Sequence, residues 1–525
     1  MRAPRPLAAI AILSAACVAL AAGPAPAGGG KPQPFVLEPP RQGGAVLLPF
    51  AYRPVLSGRD FLFLACKGAA LLGLAAAAAG LRRQAPWCRI LGTAAILLGA
   101  NVALDLGRVG LSFERPGRFG TSACAPLYAQ LSPALAWPLF PYLALAALSI
   151  VLAERWIAWR GRVFAGALAG FAIAIPLCAG FAGPPPDVYR QFFGSGLDYA
   201  SYVRPISELG DLLSGYVRGM PALSAHARTH GPGAIVVLSI VEAIVGSRPT
   251  VVAIALLAIT SFLPIMTWRM AIALGSDEAA ARIAAVLVAL SPSFVLFAFL
   301  SMDGVFSLGI VAMVLVWIRA IEARSPILAA TAGFALYGSA VLTFSTAGGM
   351  LVMAAAAIAR LHRGETPARS ILACGAAAAA GFAACHAAAF GILGFDLVAC
   401  FRAGNRLNQE LVGSAFRSAE HYALAVIGTL VAFLIGCGVP VAALATRRPL
   451  GRAAIVAAPA ILLIALAGAY QWEVERIWMF FVPFEAIAAA SALREAPRAT
   501  RLLASVLALQ ASQTIAMELL LDTHW

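Results

Sequence analysis

Charge is scarce in this chain: 12% of its 525 residues are Asp, Glu, Lys or Arg, whereas 61% are hydrophobic. A soluble domain is typically about 45–50% apolar and about 25% charged. So large an apolar excess cannot be buried in a water-soluble core, and it also excludes intrinsic disorder. The mean hydropathy of +0.86 therefore predicts a protein whose solvent is a bilayer.

Lysine is nearly missing, since it occurs only at Lys31 and Lys67. The 38 basic residues, almost all Arg, outnumber 24 acidic residues and give a net charge of +14. In a soluble protein this excess would suggest nucleic acid as a partner. Here the arginines lie in short segments between apolar runs, as in the cytoplasmic loops of membrane proteins. We therefore predict membrane lipids, and no nucleic acid, as partners.

Paired cysteines are missing as well. The nine cysteines are scattered, mostly within apolar runs, and none forms a C-x-x-C pair. This pattern predicts neither a zinc site nor a disulfide framework, but small buried hydrophobic side chains.

The N-terminal segment has the layout of a secretory signal. Arg2 and Arg5 precede an apolar run at residues 7–22, and small residues with prolines follow. We predict that residues 1–30 are either a cleaved signal or a signal anchor, because the pattern fits both.

Apolar runs alternate with basic loops along the rest of the chain. Placing the basic loops in the cytoplasm predicts an all-α polytopic membrane protein with about 15 spans, or about 14 after signal cleavage. The segments 184–231 and 396–421 then lie outside the cytoplasm. Residues 31–160 are predicted to form an N-terminal transmembrane extension, and residues 161–525 a second transmembrane module.

One apolar run breaks the alternation. Residues 234–246 are too short for a comfortable crossing, which needs about 20 residues. Both flanks of this run must lie outside if the later basic loops are inside. We therefore predict a re-entrant or in-plane helix at this position.

The segment 184–231 carries the first candidate site. Residues 206–217 place apolar side chains on one helical face, which predicts an interfacial amphipathic helix. It would hold Asp198, Tyr199 and Tyr202 at the membrane surface. Asp198 is a candidate general base, with a helix N-cap or a surface acid as the alternative. Asp187 is the second candidate for the base.

Other polar residues collect near the predicted outer face. Asp303 lies between two apolar runs, where an ionisable group is costly, and an N-cap is its alternative role. His226 and His230 are spaced i, i+4, which suits a substrate contact, a metal pair lacking a third ligand, or a structural role.

Arginine on an outer face is unusual. Arg402 and Arg406 suit either a solvated loop or an anionic ligand such as a lipid phosphate. Glu473, Glu475 and Arg476 suit either ligand binding or an ion pair that packs helices. Trp472 and Trp478 beside them are typical of an interfacial aromatic belt.

These motifs together resemble those of the GT-C superfamily of polytopic glycosyltransferases, over residues 160–495. The resembling elements are an exit span, the Asp198-Tyr199-x-x-Tyr202 motif, an amphipathic helix, His230-Gly231-Pro232-Gly233, and a later acid at Asp303. The chain has Tyr199 where the family's motif has a second acid, and Gly231 where it has proline.

The resemblance implies a bacterial plasma-membrane enzyme whose active site faces outward. Its donor would be a polyprenyl-phosphate-linked sugar, and its acceptor a cell-envelope glycan, lipid or protein. Asp198, Asp303 and Asp187 are the candidate catalytic residues. The substrate-binding candidates are Tyr199, Tyr202, His226, His230, Arg402, Arg406, Glu473, Glu475 and Arg476.

No cofactor is firmly implied, and a divalent cation such as Mg²⁺ or Mn²⁺ stays open. The alternative function is a transporter or flippase of a lipid-linked or anionic substrate. Transporters usually show paired hydrophobic halves, and no such halves are visible in this sequence. A non-catalytic scaffold would leave Asp198 and Asp303 without a role.

Overall fold

The computed structural model describes most of the chain from residue 86 onward. The described residues are 67–72, 74–75, 86–110, 127, 129–131, 137–182, 199–299, 301–446, 451–470, 473–496 and 499–522. The predicted signal segment, most of the apolar run at 60–80, and the candidate bases Asp187 and Asp198 lie outside them.

The chain forms two compact units. Within the described residues, unit 1 contains 199–255 and 312–413, and unit 2 contains the described residues up to 182, residues 256–311, and those from 414 onward. Neither unit ends at the predicted module boundary at residue 160. Each unit is assembled from segments that are far apart in sequence.

Unit 1 is helical throughout its described part. Its helices are α5 (Leu209–Gly219), α6 (Ala225–Thr229), α7 (Gly233–Val245), α13 (Pro326–Leu342), α14 (Thr346–His362), α15 (Ala368–Leu393) and α16 (Leu397–Val412). Short 3-10 turns at Ala200–Tyr202, Ile206–Glu208 and Met220–Ala222 precede or follow α5.

Unit 2 holds most of the remaining helices. They are α1 (Pro86–Gly110), α2 (Leu139–Val151), α3 (Ala153–Ala158), α4 (Gly161–Gly180), α9 (Phe262–Ala273), α10 (Glu278–Ala289), α11 (Pro292–Phe297), α17 (Ala419–Cys437), α18 (Val439–Ala445), α19 (Arg452–Leu466), α20 (Val474–Ile477), α21 (Val482–Arg494) and α22 (Ala499–Leu520). Two further helices, α8 (Pro249–Thr260) and α12 (Asp303–Ala323), contribute residues to both units. Within the described residues, the strands are the two-residue β1 (Gln130–Leu131) and β2 (Leu521–Asp522), which pair antiparallel.

The predicted all-α polytopic membrane protein is confirmed. Within the described residues, eight helical segments are long and apolar enough to cross a membrane, and five apolar helices are shorter. The eight are Pro86–Leu104, Gly161–Gly180, Pro249–Ala273, Asp303–Ala323, Ala368–Leu393, Ala419–Cys437, Val474–Arg494 and Ala499–Leu520. The total of 14 or 15 spans stays a prediction.

Local sequence explains where several helices begin. The Asp277 carboxylate accepts the Ala280 N–H at 2.6 Å and caps α10. Ser325 caps α13, whose first residue is the helix-compatible Pro326. Asp396 accepts the N–H groups of Val398 and Ala399 and caps α16. Such caps satisfy donors that a helix start leaves open.

The apolar run at residues 234–246 forms the helix α7. This helix has 13 residues and ends at Gly246, whose φ of 84° suits glycine. At about 1.5 Å per residue it is about 20 Å long, which is shorter than the hydrocarbon core of about 30 Å. Its length agrees with the predicted non-spanning helix.

The amphipathic helix predicted at 206–217 forms as a 3-10 turn followed by α5. Leu209, Leu212 and Tyr216 on its apolar face are buried, and Asp211 and Ser214 are exposed. The apolar face is covered by the protein itself, because α5 packs against α15 and α16 of the same unit. The prediction that this face lies on lipid was therefore wrong, and the face belongs to the protein core.

A buried arginine connects α10 with the end of α3 in unit 2. Arg282 of α10 is 7% exposed, and its Nε donates to the Glu278 carboxylate at 2.9 Å. Its Nη1 donates to the carbonyls of Ile157 and Trp159 at the end of α3. The guanidinium therefore satisfies carbonyls that the helix end leaves open.

Glycine lets α13 and α15 pack backbone to backbone in unit 1. A Cβ atom at Gly333 would lie 2.0 Å from the Ala378 carbonyl oxygen, and one at Gly381 would lie 2.3 Å from the Ala330 oxygen. Small residues at such contacts are typical of membrane helix pairs. By contrast, Gly338 of α13 has open space around its Cα.

We predict that Gly333→Ala lowers the apparent melting temperature of the purified protein in detergent by several degrees. The added methyl group would press on rigid backbone, and such overpacking costs about 1–3 kcal/mol. Gly338→Ala is the matched control on the same helix, and it should be neutral or slightly stabilising since alanine favours helix. Equal melting temperatures for the two variants would contradict this packing.

Candidate functional site

Eight of the predicted site residues fall into two groups, each within one unit, and Arg402 and Arg406 lie on a separate helix of unit 1. The histidine cluster of unit 1 consists of Tyr199, Tyr202, His226 and His230. The arginine–acid cluster of unit 2 consists of Asp303, Glu473, Glu475 and Arg476. Asp187 and Asp198 lie outside the described residues, so their predicted role as base stays a prediction.

In the histidine cluster, Tyr199 lies beside both histidines. Its ring centroid is 6.2 Å from that of His226 and 6.2 Å from that of His230. Tyr199 is 7% exposed, and the two histidines are partly exposed. The structure therefore brings together the tyrosine and histidine motifs that are about 30 residues apart in sequence.

The Nδ1 atom of His230 lies against the preceding helix α6. It is 3.0 Å from the His226 carbonyl oxygen and 3.2 Å from the Thr229 hydroxyl. The Thr229 hydroxyl also lies 2.8 Å from the Ala225 carbonyl oxygen, to which it donates. These contacts hold the His230 ring against the end of α6.

Two buried tyrosines fix the backbone around the histidines. The Tyr216 hydroxyl lies 2.7 Å from the Ala227 carbonyl oxygen and 3.3 Å from that of His230. The Tyr202 hydroxyl accepts the Ser224 N–H at 2.7 Å. Burial raises the pKa of the Tyr216 hydroxyl well above its usual value, so it remains a donor. Tyr202 thus has a positioning role in the backbone, beyond its predicted substrate contact.

Close backbone packing explains the glycines of the His230-Gly231-Pro232-Gly233 motif. A Cβ atom at Gly231 would lie 2.2 Å from the Val341 carbonyl oxygen, and one at Gly233 would lie 2.7 Å from the same atom. Only glycine allows the motif to approach the end of α13 this closely. The motif therefore fixes the position of His230.

Arg402 and Arg406 lie on α16, a helix that the sequence analysis did not predict within the segment 396–421. Both side chains are exposed and lie one turn apart on the same side of the helix. The buried residues Cys400, Ala403 and Leu407 repeat at helical spacing. That spacing is the pattern that could have revealed α16.

Aromatic contacts connect α16 with the histidine cluster. The ring of Phe344 is parallel to that of His230, with centroids 6.4 Å apart, and it meets Phe401 edge to face at 5.1 Å. Gly404 permits this approach, because a Cβ atom there would lie 2.7 Å from the Phe344 ring. The arginine pair therefore belongs to an element that packs directly on the histidine side of unit 1.

In the arginine–acid cluster, one guanidinium is held by two carboxylates. Arg476 Nε lies 3.1 Å from Asp303 Oδ2, and Arg476 Nη2 also pairs with Glu473 Oε2. Asp303 is 9% exposed, and its own N–H donates to the Ser301 hydroxyl at 3.2 Å. Its carboxylate therefore forms an ion pair, which is the helix-packing alternative foreseen for Arg476.

Backbone strain accompanies this cluster. Glu473 has a φ of 62°, a left-handed conformation that is uncommon for a residue other than glycine. Burial, opposed by the charge of Arg476, raises the pKa of the Glu473 carboxyl to about 7. A strained backbone together with a perturbed carboxyl pKa is typical of a functional or tightly constrained position.

Glu475 and Trp478 are both interior residues. Glu475 is 3% exposed, and its carbonyl oxygen accepts the Ser293 hydroxyl at 2.5 Å. Trp478 is fully buried, in edge-to-face contact with Phe433 and Tyr470. The interpretation of Trp478 as an interfacial belt residue was wrong, since a ring enclosed by other aromatic rings does not reach the headgroups.

Metal binding finds no support in the described part of the chain. It contains no group of three or more His, Cys, Asp or Glu side chains that could hold a metal ion. His226 and His230 interact through a backbone carbonyl and Nδ1, and their spacing alone does not make a metal site.

Comparison with known proteins adds no family assignment: no family model matches the chain, and no curated protein is significantly similar to it.

We predict that Arg476→Met strongly destabilises the protein, because it leaves two carboxylates buried without their cation. Removing one partner of a buried pair costs about 3–5 kcal/mol. Asp303→Asn in the same chain should recover part of the loss, since the two changes are coupled by about 0.5–3 kcal/mol. Thermal unfolding of both single variants and the double variant measures the coupling.

Arg319→Met is the control, because Arg319 pairs with Glu322 at 2.9 Å while both side chains are about 40% exposed. Such a surface pair contributes about 0–1 kcal/mol. Additive effects of Arg476→Met and Asp303→Asn would contradict an energetic role for their ion pair.

Proposed function

We propose that this protein is a membrane glycosyltransferase that takes a sugar from a polyprenyl-phosphate-linked donor. The observation that carries the proposal is that Tyr199, which directly follows Asp198 in sequence, lies beside both His226 and His230. Two motifs that resemble those of GT-C glycosyltransferases are thereby side by side in unit 1. The acceptor would be a glycan, lipid or protein of the cell envelope.

In the proposed reaction, the acceptor hydroxyl oxygen attacks the anomeric carbon of the donor sugar. The bond between this carbon and the phosphate oxygen breaks, and polyprenyl phosphate leaves with the electron pair. The acceptor proton passes to a carboxylate, for which Asp198 is the first candidate and Asp187 the second. A positioned base of this kind typically contributes about 10²–10⁴-fold to the rate.

The leaving phosphate needs a cation, and the arginines differ in how suitable they are. Arg476 is already held by the carboxylates of Asp303 and Glu473, so much of its charge is neutralised. Arg402 and Arg406 are exposed and carry donors whose geometry suits phosphate oxygens. We therefore assign the phosphate contact to α16.

Asp303, Glu473 and Glu475 are better suited to positioning than to catalysis. The carboxylates of Asp303 and Glu473 are already engaged by the Arg476 guanidinium, and Glu475 is an interior residue that is 3% exposed. We assign to His230 a contact with the substrate, because its ring lies beside that of Tyr199.

The transporter or flippase alternative has one observation in its favour. The arginine–acid cluster lies at the ends of two candidate spans, Asp303–Ala323 and Val474–Arg494. Ionisable groups at such positions also occur along substrate paths of transporters. An assay that follows a chemical product distinguishes the two functions.

We propose that the active site faces the extracytoplasmic side of a bacterial plasma membrane. A membrane-impermeant maleimide applied to intact cells should then label Ser201→Cys and Gln409→Cys, which are at exposed positions of unit 1. Ala323→Cys, at the exposed end of α12 between Arg319 and Arg324, should react only after the membrane is opened, because basic segments between apolar runs are expected in the cytoplasm. Labelling of Ser201→Cys only after opening would contradict this orientation.

We predict that Asp198→Asn lowers glycosyl transfer by about 10²–10⁴-fold, because it retains the side-chain shape but removes the base. The assay supplies membranes with lipid-linked sugars at equal expression of each variant and measures glycosylated product. Asp211→Asn is the matched control, since Asp211 is an exposed acid of α5, and it should retain wild-type turnover.

Loss of activity in Asp187→Asn but not in Asp198→Asn would move the base to Asp187. Wild-type turnover in both variants, or no product from any donor, would count against glycosyl transfer and favour the transporter.

A further inference from the structure

We infer that the exposed face of α16 binds the phosphate of an anionic bilayer lipid at the membrane surface. The site is the one assigned above to the donor phosphate, but an anionic bilayer lipid presents the same phosphate chemistry, so its binding can be tested whether or not the protein transfers a sugar. It rests on where α16 begins, on which of its side chains are exposed, and on their charge.

The preceding helix places α16 at headgroup depth. At about 1.5 Å per residue, the 26 residues of α15 are about 39 Å long, which exceeds the hydrocarbon core of about 30 Å. Phe390 and Ile392 in its last turn are 58% and 62% exposed, so the lipid-facing surface continues to the end of the helix. The four steps from Leu393 to Leu397 span at most about 14 Å.

The exposed face of α16 carries both apolar and basic side chains. Phe401 is 49% exposed and Val398 is 46% exposed, and exposed apolar side chains of this size are costly in water. Successive residues of a helix are about 100° apart, which places Phe401 and Val398 on one flank of this face and Arg402 and Arg406 on the other. An interfacial helix has this arrangement, with apolar side chains toward the acyl chains.

The positive charge of Arg402 and Arg406 favours an anionic headgroup as the ligand of this face. Neither the Arg402 nor the Arg406 guanidinium forms an ion pair or hydrogen bond with another residue in the described part of the chain. The arginines are one turn apart, so both can contact one phosphate group. The opposite face is closed by packing of Gly404 on Phe344, which fixes the orientation of the pair.

The test measures lipid binding to the full-length protein in neutral detergent by native mass spectrometry. Phosphatidylglycerol and phosphatidylcholine are added separately to wild type and to the double variant Arg402→Gln/Arg406→Gln. Each basic residue near an anionic surface contributes about 1 kcal/mol, so we expect the double variant to bind phosphatidylglycerol about 10- to 30-fold more weakly. Its phosphatidylcholine binding should not change.

The double variant Asn405→Ala/Gln409→Ala is the matched control, because it alters the same exposed face without changing its charge. It should bind phosphatidylglycerol within about 2-fold of wild type. Equal phosphatidylglycerol binding by wild type and the arginine variant would overturn the inference. Inorganic phosphate that binds wild type as tightly as phosphatidylglycerol does would also overturn it, since the site would then recognise a free anion.

Discussion

The structure depends on one constraint: a backbone in hydrocarbon must satisfy its own N–H and C=O groups. Helices meet this requirement internally, which is why the described part of so apolar a chain is almost wholly helical. Association between such helices then relies on close contact rather than on expulsion of water. Gly333 and Gly381 show the consequence, because each allows α13 and α15 to touch backbone to backbone.

The same constraint governs the charged residues. A buried charge is tolerated when it is paired, and the chain satisfies this in two different ways within unit 2. Arg282 donates to backbone carbonyls at the end of α3, whereas Arg476 meets two carboxylates. The first arrangement satisfies carbonyl groups at a helix end. The second places two carboxylates beside one guanidinium.

Sequence patterns predicted the helices whose apolar residues form a continuous run or repeat with the helical period. The long apolar runs, the short α7 and the amphipathic α5 follow from hydrophobicity alone. The burial of Leu212 and Tyr216 shows that protein, and not lipid, covers the apolar face of α5. An amphipathic face looks the same in sequence whether lipid or protein covers it, because both are apolar, and only the tertiary packing of α5 on α15 and α16 distinguishes them.

The candidate site was predictable to a lesser degree. The histidine motif could be found because His230-Gly231-Pro232-Gly233 is local, and its glycines are explained by contact with Val341. The pairing of Asp303 with Arg476 joins residues that are 173 positions apart, and no spacing rule relates them. Helix α16 was not predicted because charged residues lie among the apolar residues Cys400, Ala403 and Leu407, which repeat at helical spacing.

These two arginine environments have a common consequence for function. Arg476 is neutralised by its neighbours, so its charge serves the packing of the spans that it joins. Arg402 and Arg406 keep their charge at an exposed face, on a helix whose other face contacts Phe344 and, through it, the ring of His230. A lipid phosphate at α16 would therefore approach the histidine cluster from the membrane surface, and an embedded substrate needs that direction of access. Under the proposed function, helix α16 rather than the arginine–acid cluster is therefore the element that would connect the membrane surface with the histidine cluster.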